Sequence, residues 1–154
     1  FLAASEAEEL LAALTPQLGA LPDGEIARLL FALAMADVDI QHPLARVLAI
    51  QYTEGRDRKD PSSDVDVAWA LCAFQLSGRY SEALRFALLR ICDGTPSAVA
   101  ARRPWLIKLH DVVAHLQVYD PKAAKVVPAL WREAASQAAR LEAERLGASP
   151  VHKQ

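Results

Sequence analysis

The sequence of 154 residues has little cysteine, glycine or aromatic content: two cysteines, six glycines and 6% aromatic residues. Two cysteines exclude a disulfide scaffold, and the low glycine content excludes a collagen-like chain. No apolar run approaches the ~18–20 residues that cross a bilayer, so no membrane insertion is predicted. The net charge of -2 argues against a strongly basic nucleic-acid binder. Hydrophobic residues make up 53% of the chain, which predicts one ordinary folded domain.

Signatures of the common enzyme classes are also missing. The chain has no GxSxG, no GxxxxGK[ST], no GxGxxG after a strand and no HExxH. His110 and His115 are five residues apart, on different faces of a helix, so ordinary partly buried histidines are favoured over a metal site with Asp111. Cys72 and Cys92 form no CxxC pair, which favours two buried free thiols over a disulfide. We therefore expect no enzyme activity, cofactor, metal or small-molecule substrate.

The spacing of apolar residues indicates helix throughout and strand nowhere, so the predicted class is all-α. Asp120 followed by Pro121 is typical of a helix start, and Pro128 is expected to kink or divide the helix that follows. The charged stretch 54–63 is expected to be a solvated loop, and 148–154 a frayed tail. Helices are predicted over about 5–19, 23–36, 42–53, 64–77, 81–92, 104–120 and 121–146.

An internal repeat is the most informative feature. Residues 23–35 align with residues 64–76 at an offset of 41, with Asp, Ala and Leu recurring at matching places. A period near 41 lies in the range of two-helix solenoid repeats, so we predict an α-solenoid of helix-turn-helix repeats with a long C-terminal helix. The alternative is an irregular bundle with a chance duplication. The predicted units are a preceding helix (1–22), two hairpins (23–53 and 64–93), and a degenerate third repeat with the C-terminal helix (94–147).

The two helices of each repeat differ in polarity. Between Ile26 and Ala36 only Arg28 is polar, so the first helices are predicted to be covered on several sides. The second helices are amphipathic, with Arg46 and Gln51 of the first repeat, and Arg85 and Arg90 of the second, expected to face solvent. When the second helices are aligned at the same offset of 41, Val47 matches Leu88, Leu48 matches Leu89, and Ile50 matches Ile91.

The repeated first helix resembles that of a known family. Residues 64–74, with the sequence DVDVAWALCAF, and the weaker copy from Asp23 are similar to the degenerate repeats of FASTK-like and RAP-domain organellar proteins, and to octotricopeptide and heptatricopeptide repeats. The resemblance covers about 23–93, and no RAP domain is recognisable after residue 100. It implies a noncatalytic α-solenoid that works on organellar RNA, or that is built into an RNA-rich assembly such as the mitochondrial ribosome, and it implies a mitochondrial location.

A second resemblance is to tetratricopeptide repeats. Residues 78–84, with the sequence GRYSEAL, are similar to the turn and second helix of such a unit. Residues 37–43 of the other copy do not match it, and the roughly 34-residue period of that family is absent. This resemblance implies a protein-binding adaptor or scaffold in another assembly, such as a respiratory complex.

Charge is distributed unevenly along the chain. Residues 1–101 carry 8 Lys and Arg against 14 Asp and Glu, whereas residues 102–154 carry 9 against 5. If the chain contacts nucleic acid, the phosphate contacts are expected in the second part, but a solvated helix of mixed charge is the favoured explanation of this pattern. Trp69 is expected in the core, and Trp105 is the better candidate for a surface contact. The candidate RNA-binding or partner-binding residues are Arg102, Arg103, Trp105, Lys108, Lys122, Lys125 and Arg132.

Together these patterns predict a structural subunit of an organellar ribonucleoprotein. We expect its partners to be mainly other protein subunits, with some rRNA contact, because the overall charge is weakly negative.

Overall fold

A computed structural model describes residues 21–35, 43–54, 60–73, 81–96 and 103–147. These ranges are helical and contain no strand, which confirms the all-α class. The predicted helix over 5–19, residues 55–59 of the charged stretch, Arg102 and the tail 148–154 lie outside them. The helices are α1 (Asp23–Met35), α2 (Pro43–Glu54), α3 (Pro61–Ala73), α4 (Ser81–Ile91), α5 (Arg103–Tyr119), α6 (Pro121–Ala124) and α7 (Ala129–Gly147).

Two helices begin at an Asp-Pro pair. The Asp120 carboxylate accepts a hydrogen bond from the Ala123 amide at 3.3 Å, and Pro121 occupies the first position of α6, as the sequence predicts. Asp60 accepts hydrogen bonds from the Ser62 amide at 3.2 Å and from the Ser63 hydroxyl at 2.7 Å. Helix α3 therefore begins at Pro61, one turn before the position that the apolar pattern indicates.

Pro128 divides the last predicted helix in two. The chain leaves helical geometry after Ala124 and re-enters it at Ala129. Proline has no amide hydrogen to donate, and it disfavours helical geometry in the residue before it. The C-terminal segment is consequently the short α6 followed by the long α7, as the position of Pro128 predicts.

The helices pack in two rows. In the first row α1 contacts α3, and α3 contacts α5. In the second row α2 contacts α4, and α4 contacts α6. Each first-row helix also contacts the helix that follows it in the chain, and α7 packs on α5. Because α3 has neighbours on three sides, its apolar residues are buried around most of its circumference.

Helix α1 is less enclosed than α3. Its buried apolar positions are Ile26, Ala27 and Leu30, and they match Val67, Ala68 and Leu71 of α3 at the offset of 41. On the rest of α1, Leu29 and Phe31 are 37% and 38% exposed, and Met35 is more exposed still. The expectation that both first helices are covered on several sides is therefore wrong for α1. Among the described helices, α1 lies at the end of its row.

The second helices do not keep the offset of 41. Leu48 is buried whereas Leu89 is 61% exposed, and Ile50 is 46% exposed whereas Ile91 is buried. Burial agrees at an offset of 39, so in the second repeat the buried face of the second helix lies two residues closer to the aligned aspartate. At that offset the buried pairs are Ala45 with Leu84, Leu48 with Ala87, Ala49 with Leu88, and Tyr52 with Ile91.

Trp105 belongs to the core, so its predicted role as a surface contact is wrong. It shares one face of α5 with the buried Leu109, Val112 and Leu116. Its ring stacks on the buried Trp131 of α7, with 6.0 Å between ring centroids. The Trp131 indole donates a hydrogen bond to the Gly94 carbonyl at 3.3 Å, where the chain turns after α4 with a positive φ of 84°.

In the described ranges no helix combines the length and the apolar character needed to cross a membrane.

Candidate functional site

A groove runs along the first row of helices, with α3 as its floor and α1 and α5 as its walls. It consists of two adjoining cavities of about 270 and 450 Å³, both of which include Phe31 and Trp69. The lining side chains recur three or four residues apart on each helix, which places them on one face. They are mainly Arg28, Phe31 and Met35 of α1, Asp66, Trp69 and Cys72 of α3, and Lys108, Asp111 and His115 of α5.

One end of the groove is held by an ion pair between α3 and α5. The Lys108 ammonium is 2.6 Å from the Asp66 carboxylate and 5.7 Å from the centroid of the Trp69 ring. Both charged side chains are partly exposed, so the pair adds little to the free energy of unfolding. Its effect is to fix the cation beside the indole. Lys108, a predicted RNA-binding residue, is thus already engaged within the protein.

The other end of the groove is lined by Met35, Cys72, Asp111 and His115. Burial raises the pKa of the Cys72 thiol to about 12, so at neutral pH it is protonated and contributes apolar surface. The His115 ring lies 4.6 Å from the Tyr119 ring, centroid to centroid. His110 does not line this cavity. Within the described ranges no group of three or more His, Cys, Asp or Glu side chains is placed to hold a metal ion.

A buried polar cluster joins the two hairpins. We call it the Arg90 cluster, and it comprises Asp23 of α1, Tyr52 of α2, Asp64 of α3 and Arg90 of α4. The Arg90 guanidinium is 3.3 Å from the Asp64 carboxylate and 3.6 Å from the Asp23 carboxylate. The Tyr52 hydroxyl donates a hydrogen bond of 2.7 Å to the Asp64 carboxylate. One cluster therefore receives a side chain from each of the helices α1 to α4.

Aromatic rings enclose the guanidinium. Its central carbon is 5.3 Å from the centroid of Phe86 and 5.9 Å from that of Tyr52, and these two rings meet edge to face at 5.4 Å. The Arg90 side chain is only 13% exposed, so the expectation that it faces solvent is wrong. Arginine keeps its charge when buried, because its pKa is far above neutral, and it must therefore be paired.

Burial dominates the electrostatics of this cluster. It raises the pKa of Asp64 to about 6, although the hydrogen bond from Tyr52 and the charge of Arg90 both act to lower it. Burial, followed by the negative charge of Asp64, also raises the pKa of Tyr52, so the phenol stays protonated and remains a donor. Two carboxylates share one guanidinium here, and the cluster holds a proton more readily than an exposed aspartate does.

The sequence contained one signal for this cluster. Asp23 and Asp64 occupy equivalent positions of the repeat, and both reach Arg90. Sequence reasoning noted that the aspartate recurs but gave it no role in packing, and it did not single out Tyr52. An aspartate retained at the start of two apolar helices was the indication that it serves packing between the repeats.

The predicted binding residues are divided among several environments. Arg103 is the first residue of α5. Trp105 is buried, and Lys108 lies in the groove. Exposed cations remain on α6, on the turn after it and on α7, namely Lys122, Lys125 and Arg132. Trp69, which was assigned to the core, packs against it and also lines both cavities.

Comparisons with family models, with curated proteins and with solved structures found no match to this chain.

The raised pKa of Asp64 predicts a pH-dependent contribution to stability. The folded-state pKa of about 6 exceeds the ordinary value of 3.8, so the folded protein binds this proton more tightly than the unfolded chain. The resulting stabilisation is present below about pH 4 and is lost as the pH rises to 6. Relative to Asp64→Asn, the wild-type chain should gain free energy of unfolding when the pH is lowered from 7 to 4.5. Urea unfolding of both proteins measures this, and a difference independent of pH would contradict it.

Proposed function

We propose that this chain is a noncatalytic helical-repeat protein, built as an α-solenoid, that binds a partner protein along the groove of its first-row helices. The observation that carries the proposal is the open groove itself, where Phe31, Met35 and Trp69 gather on one face. Exposed apolar patches of this kind are typical of protein-binding surfaces. Aromatic side chains and methionine are also enriched in interfaces.

The packing order supports the solenoid arrangement. Helices of the first row contact their neighbours in sequence order, and so do those of the second row. In repeat proteins each unit packs mainly on the next, and this buries a core that one unit could not bury alone. The repeated aspartates, Asp23 and Asp64, meet at one arginine between the hairpins, which is consistent with duplicated units packed side by side.

The chemistry of the titratable groups supports a noncatalytic role. Strongly raised pKa values belong to Asp64 and Tyr52, which are hydrogen-bonded to each other within the Arg90 cluster, and to the thiols of the buried Cys72 and the half-buried Cys92. A perturbed group marks a catalytic site when it faces a cleft that a substrate can enter. Of these groups only Cys72 lines the groove, and its raised pKa makes it a weak nucleophile.

The exposed cations Lys122, Lys125 and Arg132 favour a second function. We propose that the chain is a subunit of an organellar ribonucleoprotein, such as the mitochondrial ribosome. Exposed Lys and Arg side chains are the usual contacts to phosphate. The resemblance of residues 23–93 to organellar repeat proteins supports this role and the mitochondrial location. In such an assembly the groove would hold a neighbouring protein, while α6 and α7 approach rRNA. If the chain is instead an adaptor in another assembly, it would bind its partner through the groove alone.

Two substitutions on α1 test the protein-binding role. Phe31 lines the groove and Leu29 does not, yet the two side chains are almost equally exposed. Phe31→Asp places a charge in the apolar contact and should release the partner, whereas Leu29→Asp should leave it bound. The measurement is recovery of each tagged full chain with its native complex, separated by sedimentation. Equal recovery of both variants in the complex would contradict the proposal.

Salt dependence tests the ribonucleoprotein role. Each phosphate contact contributes about 0.7 to the slope of log affinity against log salt for single-stranded nucleic acid. Replacing Lys122, Lys125 and Arg132 with alanine should therefore reduce the slope for a fluorescent RNA by about 2. Phe31→Asp is the matched control and should leave the slope unchanged. Absence of RNA binding by the wild-type chain at low salt would leave only the adaptor role.

A further inference from the structure

We propose that the segment held in the groove is an amphipathic α-helix of the partner, with an apolar stripe, an acidic residue facing Arg28 and a basic residue facing Asp111. This inference rests on the proposed protein-binding function and specifies the chemistry of the partner. It follows from three properties of the groove: its apolar middle, the internal hydrogen bonding of the helix backbones along that middle, and the charges toward its two ends.

The middle of the groove is apolar. Phe31 and Trp69 line both cavities, and Val112 and Met35 extend the apolar surface toward one end. Trp69 is held in place because it packs against the core and beside the Lys108 ammonium. A preorganised indole of this kind loses little conformational entropy when a partner packs on it. The matching surface on the partner is a stripe of Leu, Met or Phe side chains.

The walls of the groove favour a helical occupant over an extended one. The groove is built from α1, α3 and α5, and away from the helix ends their backbone amides and carbonyls are hydrogen-bonded within each helix. An extended peptide lying on this surface would leave its own backbone groups without partners, at a cost for each group removed from water. A helix satisfies its backbone internally and presents only side chains. Helix-in-groove binding is therefore the compatible mode.

Charges at the two ends favour a peptide over a nucleic acid. Among the residues that the structure describes, the charged side chains that line the groove are Arg28, Lys108, Asp66 and Asp111, and their charges sum to zero. Phosphate binding requires an excess of cations, and these side chains do not provide one. Lys108 and Asp66 are paired with each other. Arg28 at one end and Asp111 at the other are the charges that a partner can match.

Arg28 is available for such a contact. It pairs with Glu25, one turn away on the same helix, at 3.2 Å, and the two side chains are mostly exposed. Exposed pairs of this type are weak, so a partner carboxylate that is shielded in the groove can replace Glu25. The charges of the occupant then run from acidic near Arg28 to basic near Asp111.

The length of the bound helix follows from the distance between the lining residues of α1. Arg28 and Met35 on α1 are two turns apart, which corresponds to about 10 Å along the helix axis. A helix of about three turns covers this distance and places one charged residue beyond each end of its apolar stripe.

Synthetic peptides of about three turns test the inference on the full-length chain. The first has glutamates at its start, leucines three and four residues apart, and lysines at its end. Two controls keep the leucines but carry glutamates or lysines at both ends, and a third replaces the leucines with serine. None contains Trp or Tyr, so fluorescence reports the protein. Trp105 and Trp131 are buried, whereas Trp69 lines the groove and is expected to respond.

The glutamate–lysine peptide should change the Trp69 emission, bind about tenfold more tightly than either peptide with one sign of charge, and gain helical circular dichroism when bound. Arg28→Glu should transfer the preference to the lysine peptide, and Asp111→Lys should transfer it to the glutamate peptide. Arg85→Glu, an exposed substitution on α4, is the matched charge control and should leave the order unchanged.

Each of the other outcomes contradicts the inference and shows which part of it is wrong. If the peptides fail to bind while Phe31→Asp still releases the native complex, the groove binds protein but not a helix of this kind. If the peptides fail to bind and Phe31→Asp also leaves the native complex intact, the proposed protein-binding function is contradicted as well. A dimer that Phe31→Asp dissociates would identify the occupant as a second copy. A response of Trp69 to RNA that persists in the Lys122, Lys125 and Arg132 variants would identify it as nucleic acid.

Discussion

The packing of helices α1 to α4 depends on one buried guanidinium. Arg90 is the positive charge shared by Asp23 of one hairpin and Asp64 of the next. Buried charges are tolerated only when they are paired, so each hairpin must bring its aspartate to this point. Apolar contacts supply most of the stability, but they are compatible with several registers of one helix on another. The Arg90 cluster selects the register in which both carboxylates and the Tyr52 hydroxyl meet.

This register also determines where the groove lies. Because α1 and α3 are aligned through Asp23 and Asp64, the later turns of both helices present Phe31 and Trp69 to the same face. Helix α5 completes the groove through Lys108, which pairs with Asp66. The apolar residues of α1 that remain exposed follow from its place at the end of the row of described helices. In α3, which has a helix on each side in that row, Ala70 and Cys72 are buried at the positions equivalent to Leu29 and Phe31.

Much of this fold was predictable from local pattern, and its exceptions arise from tertiary contacts. Apolar periodicity located the helices, and proline chemistry located the start of α6 and the break before α7. The sequence did not predict which residues of the second helices are buried, because Leu48 and Leu89 are both leucines and differ only in the residues that surround them in the fold. For the same reason Arg90 was expected in solvent and Trp105 on the surface. Of the site, sequence reasoning identified Lys108 as a contact residue but not its pairing with Asp66, which lies on another helix.

A double-mutant cycle on the Arg90 cluster tests the central claim most directly. Arg90→Met in the wild-type chain leaves two carboxylates buried without their guanidinium, and urea unfolding should show a loss of about 3–5 kcal/mol. In a background of Asp23→Asn and Asp64→Asn the same substitution should cost at least about 1 kcal/mol less, because the charges it leaves unpaired are gone. Arg85→Met, on the exposed face of α4, should stay within about 0.5 kcal/mol of wild type. Equal effects of Arg90→Met in both backgrounds would contradict the claim that this arginine joins the hairpins.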